Sequence, residues 1–209
     1  MDKSGKRAFD IALTLIIGAV LVIPVIGMMI WLVLGQGRPF LYGAERMKTP
    51  DRGFTLWKFR TMEEDPNDEG VTGGDKAARI TRQGALMRRY RADEIPQLWN
   101  ILRGDISFVG PRPPLRIYTQ AFPELYAKVL RSKPGITGLA SLTYATYEER
   151  ILASAATTGE TDTIYRRRCV PIKARLDLIY QRNASFCFDL ALIWQTARRF
   201  APNWLGKRS

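Results

Sequence analysis

Arg88, Arg89, Arg91, Asp93, Glu94, Asp105 and Arg112 form a dense charged cluster within one 25-residue window. Arginines alone would indicate a solvated face or an anion site, but these surround two adjacent carboxylates. A carboxylate can attack phosphorus when arginine or Mg2+ neutralises the phosphate oxygens that otherwise repel it. An acidic pair can also hold a hard divalent cation through oxygen, with waters completing the sphere. The plain alternative is structural. Arg89 with Asp93 and Arg91 with Glu94 have the spacing of helix-surface ion pairs, each worth about 0.2–0.5 kcal/mol.

Composition narrows the chemistry further. The 209 residues contain no histidine, which excludes histidine acid–base catalysis, zinc sites that use histidine, and Ser-His or Cys-His nucleophiles. Cys169 and Cys187 lack metal-ligand spacing and read as reduced residues of a cytoplasmic domain. What remains is carboxylate, Lys, Arg, Tyr or a hard metal. A net charge of +12 suits an anionic membrane surface, a phosphorylated substrate or nucleic acid.

The elements that must position the cluster can be read from its punctuation. Residues 85–91 have helical composition. Pro96 disfavours an α conformation at Ile95 and then suits the first turn of a second helix running through Leu102. Asp93 and Glu94 therefore fall at a helix–helix junction, facing the positive end of the second helix. Residues 104–114 are expected to be irregular, their prolines fixing the direction of Arg112 for bidentate phosphate recognition. Residues 53–61 read as a short strand, 63–74 as an acidic loop, and 133–138 as a turn. Helices are expected over 115–130, interrupted at Pro123, over 173–181 and over 186–200. Residues 139–163 carry no clear pattern. The last helix, with Arg198, Arg199, Trp204, Lys207 and Arg208 after it, fits an amphipathic segment at a membrane interface.

Residues 11–34 are uncharged and mostly apolar, with Pro24 near their middle. As one helix the stretch is roughly 36 Å long, enough to cross a hydrocarbon core of about 30 Å. Pro24 lacks an amide hydrogen, so a break there would leave two arms able to enter one leaflet and return. Basic residues flank both ends: Lys3, Lys6 and Arg7 before, Arg38, Arg46, Lys48 and Arg52 after. That symmetry favours keeping both ends in the cytoplasm over a crossing. Three segments follow: a membrane helix hairpin over 1–36, broken near Pro24; a catalytic domain over 37–200; and a basic tail over 201–209. The fold class expected is α/β, mainly helical with little β structure, with a broken re-entrant N-terminal helix, a compact cytoplasmic domain and interfacial amphipathic helices.

The run from Arg91 to Pro113, RADEIPQLWNILRGDISFVGPRP, strongly resembles the signature of the bacterial sugar transferases, monotopic polyprenyl-phosphate phosphoglycosyl transferases. Lys6-Arg7-Ala8-Phe9-Asp10, Lys58 to Met62, Lys133 to Gly138, and the pattern Arg175, Asp177, Tyr180, Asn183, Ser185, Asp189 are similar to the same family. The resemblance implies a phosphosugar transfer from a UDP-sugar to polyprenyl (undecaprenyl) phosphate, with release of UMP. It makes Asp93 the nucleophile that carries the phosphosugar covalently, and Glu94 its dyad partner and Mg2+ ligand, with Asp93 nearby. Arg88 and Arg112 become phosphate clamps. Lys58 and Arg60 are further candidates, either for substrate anions or for seating the domain on the membrane. Asp177 is a candidate substrate contact, and Asp189 reads as a structural cap or salt bridge.

Further implications are a re-entrant helix broken at a Ser-Pro pair, which here is Ile23-Pro24, and a place on the cytoplasmic face of the bacterial inner membrane. Anionic lipid is an expected partner and nucleic acid is not, while a homodimer and downstream glycosyltransferases stay open. Beyond Gly138 the sequence departs from the family, which puts the sugar in doubt. Two other readings stay open: the same transferase with a true transmembrane span, and a membrane-anchored basic binding protein without catalysis.

Overall fold

A computed structural model describes residues 3–63, 79–155 and 157–200. Most of the acidic loop and the basic tail with Trp204 lie outside the described residues.

The apolar run becomes α1, Lys3–Gln36, with Pro24 inside it. Its helical hydrogen-bonding pattern continues through Pro24, where an interruption was expected. A mid-helix proline deletes one bond while the turns on either side keep theirs, so a single helix persists. By length and composition α1 can cross a membrane, and little of its apolar stretch is buried within the protein. Leu15, Ile16, Val20, Ile23, Ile30 and Leu34 face outward.

Both ends of α1 are nevertheless tied to the rest of the chain. Near its start, Lys6 donates to Val109 O, Tyr180 Oη and Asp189 Oδ2 at 3.0, 2.6 and 2.8 Å. Arg7 donates to Ile101 O and Leu102 O. Asp10, almost fully buried, accepts from Ser107 Oγ and Phe108 N. Near its end, Leu32 is fully buried with Phe59 and Met87. Gln36 Nε2 donates to Arg60 O, and Arg60 returns a bond to Gln36 O at 2.5 Å.

After α1, β1 (Leu41–Met47) and β2 (Gly53–Phe59) form an antiparallel hairpin, Leu41 opposite Phe59 and Met47 opposite Gly53. Next come α2 (Arg82–Arg89), a single 3-10 turn over Ala92–Glu94, and α3 (Gln97–Arg103). Asn100 of α3 bonds β2 twice, donating to Thr55 O and accepting from Trp57 N.

Two expectations are corrected by the next segment. Ser107–Val109, expected to be irregular, is β3, and Gly135–Thr137, expected to be a turn, is β4; they pair in parallel. Three-residue strands enclosed on both faces show no alternation, so their prolines and glycines dominate the sequence signal. The glycines serve close approach. A Cβ on Gly110 would lie 2.1 Å from Lys133 O, and one on Gly138 would lie 2.2 Å from Gly110 O.

Helices α4 (Arg116–Ala121) and α5 (Pro123–Val129) divide at Pro123 as expected. Residues 139–163, without pattern in the sequence, supply α6 (Leu139–Thr143), α7 (Ala145–Leu152) and α8 (Thr158–Ile164). A π turn over Tyr165–Cys169 leads into α9 (Val170–Asn183), and α10 (Phe186–Phe200) closes the described chain. One apolar cluster joins Met47, Tyr118, Tyr126, Val129 and Val170; another joins Leu56, Ile101, Ile106, Val109, Tyr180 and Leu192. The site lies in the segment between α2 and α4, packed against the hairpin.

Candidate active site

Thr81 caps α2 by accepting from Gly84 N, and the helix ends at Tyr90. Arg91 then adopts φ 54°, the left-handed region, one of the few strained choices open to a residue with a side chain. That reversal turns the chain directly into the 3-10 turn, so Asp93 and Glu94 point inward, each only 8% exposed. Backbone strain of about 1–3 kcal/mol, set beside two buried carboxylates, is typical of a functional site.

The two carboxylates have opposite surroundings. Glu94 Oε1 meets Lys58 Nζ at 3.4 Å and Arg112 Nη2 at 3.5 Å, and Oε2 is held by the Arg91 guanidinium. Burial alone would raise its pKa, but Arg112, Lys58 and Arg91 outweigh burial and bring it down to about 2. Asp93 has no hydrogen bond or ion pair to a described residue. Burial pushes its pKa above the usual carboxylate value; Lys58, Arg88 and Arg91 pull the other way and Glu94 adds to the rise. A carboxylate of raised basicity, with no partner to satisfy, is a better nucleophile than a salt-bridged one. Glu94 is instead a fixed negative post around which cations gather.

Each cation arrives from a different element. Strand alternation puts Lys58 toward Glu94 between Trp57 and Phe59, which line an apolar groove on the other side. Burial lowers the Lys58 pKa, with Glu94 opposing. Arg88, from the last turn of α2, donates its Nε to Thr61 Oγ1 at 2.9 Å. Arg112 follows β3 on the proline-rich loop and remains 42% exposed, so its guanidinium can reach both Glu94 and an incoming anion.

The structure thus gathers Asp93, Glu94, Lys58, Arg88 and Arg112. Arg60 stands elsewhere, bonded to the last carbonyls of α1, Gln36 O and Gly37 O. Asp177 is also apart. It is buried on α9 with Lys173 and Tyr126 as electrostatic neighbours, and burial pushes its pKa up to about 7. Asp189 joins the anchor of Lys6 as the structural partner expected.

Sequence reading missed Arg46, Thr61 and Tyr165. In the sequence Arg46 is one of the basic residues flanking the apolar run, and Tyr165 follows the unpatterned stretch. Arg112 feels both Tyr165 and Glu148, and Lys173 links these two at 3.2 and 3.0 Å. Only the fold could join these positions.

Among the described residues no group of three or more Asp, Glu, His or Cys side chains could enclose a metal. Magnesium needs less, since it is commonly held by one or two carboxylates with substrate phosphates and waters. Glu94 Oε1, loosely approached by its two cations, and the unpartnered Asp93 supply hard oxygen donors of that kind.

A sequence model of the family described as bacterial sugar transferase matches residues 1–202. A Bacillus subtilis (strain 168) protein named uncharacterized sugar transferase EpsL is 31% identical over 194 residues, covering 93% of this chain and 86% of the relative. The UDP-glucose:undecaprenyl-phosphate glucose-1-phosphate transferase of Escherichia coli (strain K12) is 32% identical over 201 residues, 94% of this chain and 40% of the relative. A UDP-N-acetylgalactosamine-undecaprenyl-phosphate N-acetylgalactosaminephosphotransferase of Aeromonas hydrophila is 29% identical over 204 residues, 92% of this chain and 43% of the relative. The chain therefore spans most of EpsL and less than half the length of the two longer relatives. With its match running through α1, the dyad and the arginine loop alike, this chain belongs to the bacterial sugar transferase family.

Proposed function

We propose that this protein transfers a sugar 1-phosphate from a UDP-sugar to polyprenyl phosphate, through a covalent intermediate on Asp93. The observation that carries the reading is the asymmetry of the dyad: a buried Asp93 with no ion pair to a described residue, beside a Glu94 that meets three cations. In the first step an Asp93 carboxylate oxygen bonds to the β-phosphorus of the donor. The bond from that phosphorus to the bridging oxygen breaks, and its electron pair leaves with UMP. In the second step a phosphate oxygen of the polyprenyl acceptor bonds to the same phosphorus, and the aspartyl oxygen departs with its electrons. No proton need move at Asp93, which suits a chain without histidine.

Arg88 and Arg112 bind phosphate oxygens and orient the diphosphate for in-line attack. Lys58 holds Glu94 and offsets its charge. Glu94 and Asp93 are the residues that would hold Mg2+, which when bound neutralises charge building on the phosphate oxygens.

The lipid acceptor is supported by an apolar groove of about 630 Å3 that begins at Ile95 and Pro96, immediately after the dyad, and runs between α1 (Leu21, Val25) and Trp57 and Phe59. A cytoplasmic, re-entrant seat is supported by α1 itself. Its polar contacts at Lys6, Arg7 and Asp10 and those at Gln36 are all made with the same catalytic unit, as two ends on one side of a membrane would be. Phe186, Leu190 and Trp194 make an exposed stripe at four-residue spacing on α10, with Trp194 69% exposed, which fits contact with lipid.

The test is direct. Purified protein given UDP-sugar and Mg2+ but no acceptor should release UMP and gain the mass of one phosphosugar. Asp93→Asn should gain nothing; the same adduct on the variant would remove Asp93 from this role.

A further inference from the structure

Strand β1 brings to the site a cation that none of these roles uses. Arg46 is partly buried, with Arg112, Tyr42, Tyr118 and Tyr165 as its electrostatic neighbours. Its hydrogen bond runs to the carbonyl of Glu45, at 2.9 Å, and it has no carboxylate partner among the described residues. The nearest acid in sequence is already engaged: Glu45 holds Arg116 at 2.6 Å.

This position is set by the fold. Met47 N donates to Pro114 O at 2.9 Å, fastening the end of β1 to the loop that carries Arg112. The Glu45–Arg116 pair fastens the same strand to the start of α4. Arg46 and Arg112 are thereby held as neighbours across two clamps. Two guanidiniums in a partly dehydrated setting repel each other, and the Arg46 pKa is pushed down by burial and by Arg112.

The local charge balance shows what is missing. Lys58, Arg88, Arg91, Arg112 and Arg46 stand against Asp93 and Glu94, five positive charges to two negative, so three are unmatched. Glu94 already serves three of those cations, and among the described residues neither carboxylate of the dyad makes an ion pair with Arg46. A diphosphate brings charge of the missing sign and about the missing size, with oxygens on several faces. The fork geometry of arginine suits such an anion.

We propose that Arg46, with Arg112, forms an anion subsite that binds a phosphate of the donor diphosphate. The inference rests on the transferase reading for the identity of the donor, but the subsite can be read without turnover. The probe is UDP, titrated calorimetrically into the full-length protein in detergent, with KM and kcat for UDP-sugar measured alongside. Arg46→Gln should weaken UDP binding and raise KM for the donor about tenfold or more, leaving kcat within a fewfold of wild type. Arg46→Lys should recover part of the loss, because it keeps the charge without the fork. Equal UDP affinity and KM in wild type and Arg46→Gln would overturn the subsite. Should Arg46→Gln fail to fold, Arg46→Lys decides: a fewfold loss of UDP affinity supports the proposal, and wild-type affinity overturns it. Wild-type protein that binds UDP through Arg46 yet forms no adduct would overturn the transferase reading and leave the subsite standing.

Discussion

Two polar clusters in this protein use the same residue types to different ends. Around the start of α1, Lys6 meets Asp189 and Tyr180, and Asp10 meets Ser107 and Phe108 N. Both carboxylates are nearly inaccessible at 2% exposure, and each is answered by named donors: Asp189 Oδ1 by Tyr180, Oδ2 by Lys6. At the dyad, one carboxylate is approached by three cations and its neighbour by no donor among the described residues. A cluster whose donors and acceptors cancel is finished when the chain folds, and it serves as a fastening. A cluster with a surplus of cations and an idle carboxylate is complete only when an anion arrives. Counting partners, more than counting charges, separates structure from chemistry here.

The largest effect expected from breaking this contrast is at Asp93. Asp93→Asn should lower adduct formation by on the order of 10⁴-fold or more, as loss of a nucleophile does. Its thermal midpoint in detergent should stay equal to wild type or rise, because burial disfavours the Asp93 charge by more than Lys58, Arg88 and Arg91 favour it. A clear fall in the midpoint would mean that Asp93 belongs with the fastenings.

Asp177 offers a third case, a buried carboxyl with no hydrogen-bond donor among the described residues and one cation, Lys173, as its electrostatic neighbour. Its folded pKa, raised to about 7, exceeds the ordinary value of 3.8. A raised folded pKa means stability that is fully present below about pH 4 and is lost as pH climbs through 7. Wild type should therefore lose up to about 4 kcal/mol relative to Asp177→Asn across that interval. Denaturant midpoints at several pH values would show the gap opening with rising pH; parallel curves would refute the buried-acid account. At the fastening itself, Asp189→Ala should cost about 3 kcal/mol, since it leaves the Lys6 ammonium with only neutral partners, Val109 O and Tyr180 Oη. Unfolding in detergent measures this, and an Asp189→Ala protein as stable as wild type would mean that α1 is held by its apolar contacts alone.

Local chemistry made much of this readable from residues. Pro123 splits α4 from α5, Pro96 opens α3, and the apolar spacing of 186–200 delimits α10 as the structure has it. The dyad, Arg88, Arg112 and Lys58 stand together, while Arg60 lies at the end of α1 and Asp177 in the interior of α9. What was hidden depended on distance along the chain. The β3–β4 pair joins residues 28 apart through strands too short to alternate. The small polar residues of α6 and α8 become helical through packing, which no periodicity announces. Arg46 looked like one more flanking charge because nothing in β1 says that Pro114 will lie beside it. Pro24 lies inside one helix: proline weakens a helix locally, and the long apolar turns on either side carry α1 through.

The smallest predicted effect tests whether one neutral contact can sharpen the open cluster without disturbing its fold. Thr61 is 6% exposed and accepts from Arg88 Nε, while its carbonyl accepts from Thr81 N at the start of α2. Thr61→Val keeps the backbone bond and nearly the same volume and deletes only the hydroxyl. Arg88 then keeps its charge and loses its orientation, a loss of about 1 kcal/mol. Adduct formation at low UDP-sugar should fall roughly fivefold, with the thermal midpoint little changed. Were Thr61 part of a fastening, the same substitution would move the midpoint and leave the rate alone. The direction in which those two measurements diverge therefore says whether Arg88 belongs to the chemistry or only to the end of α2.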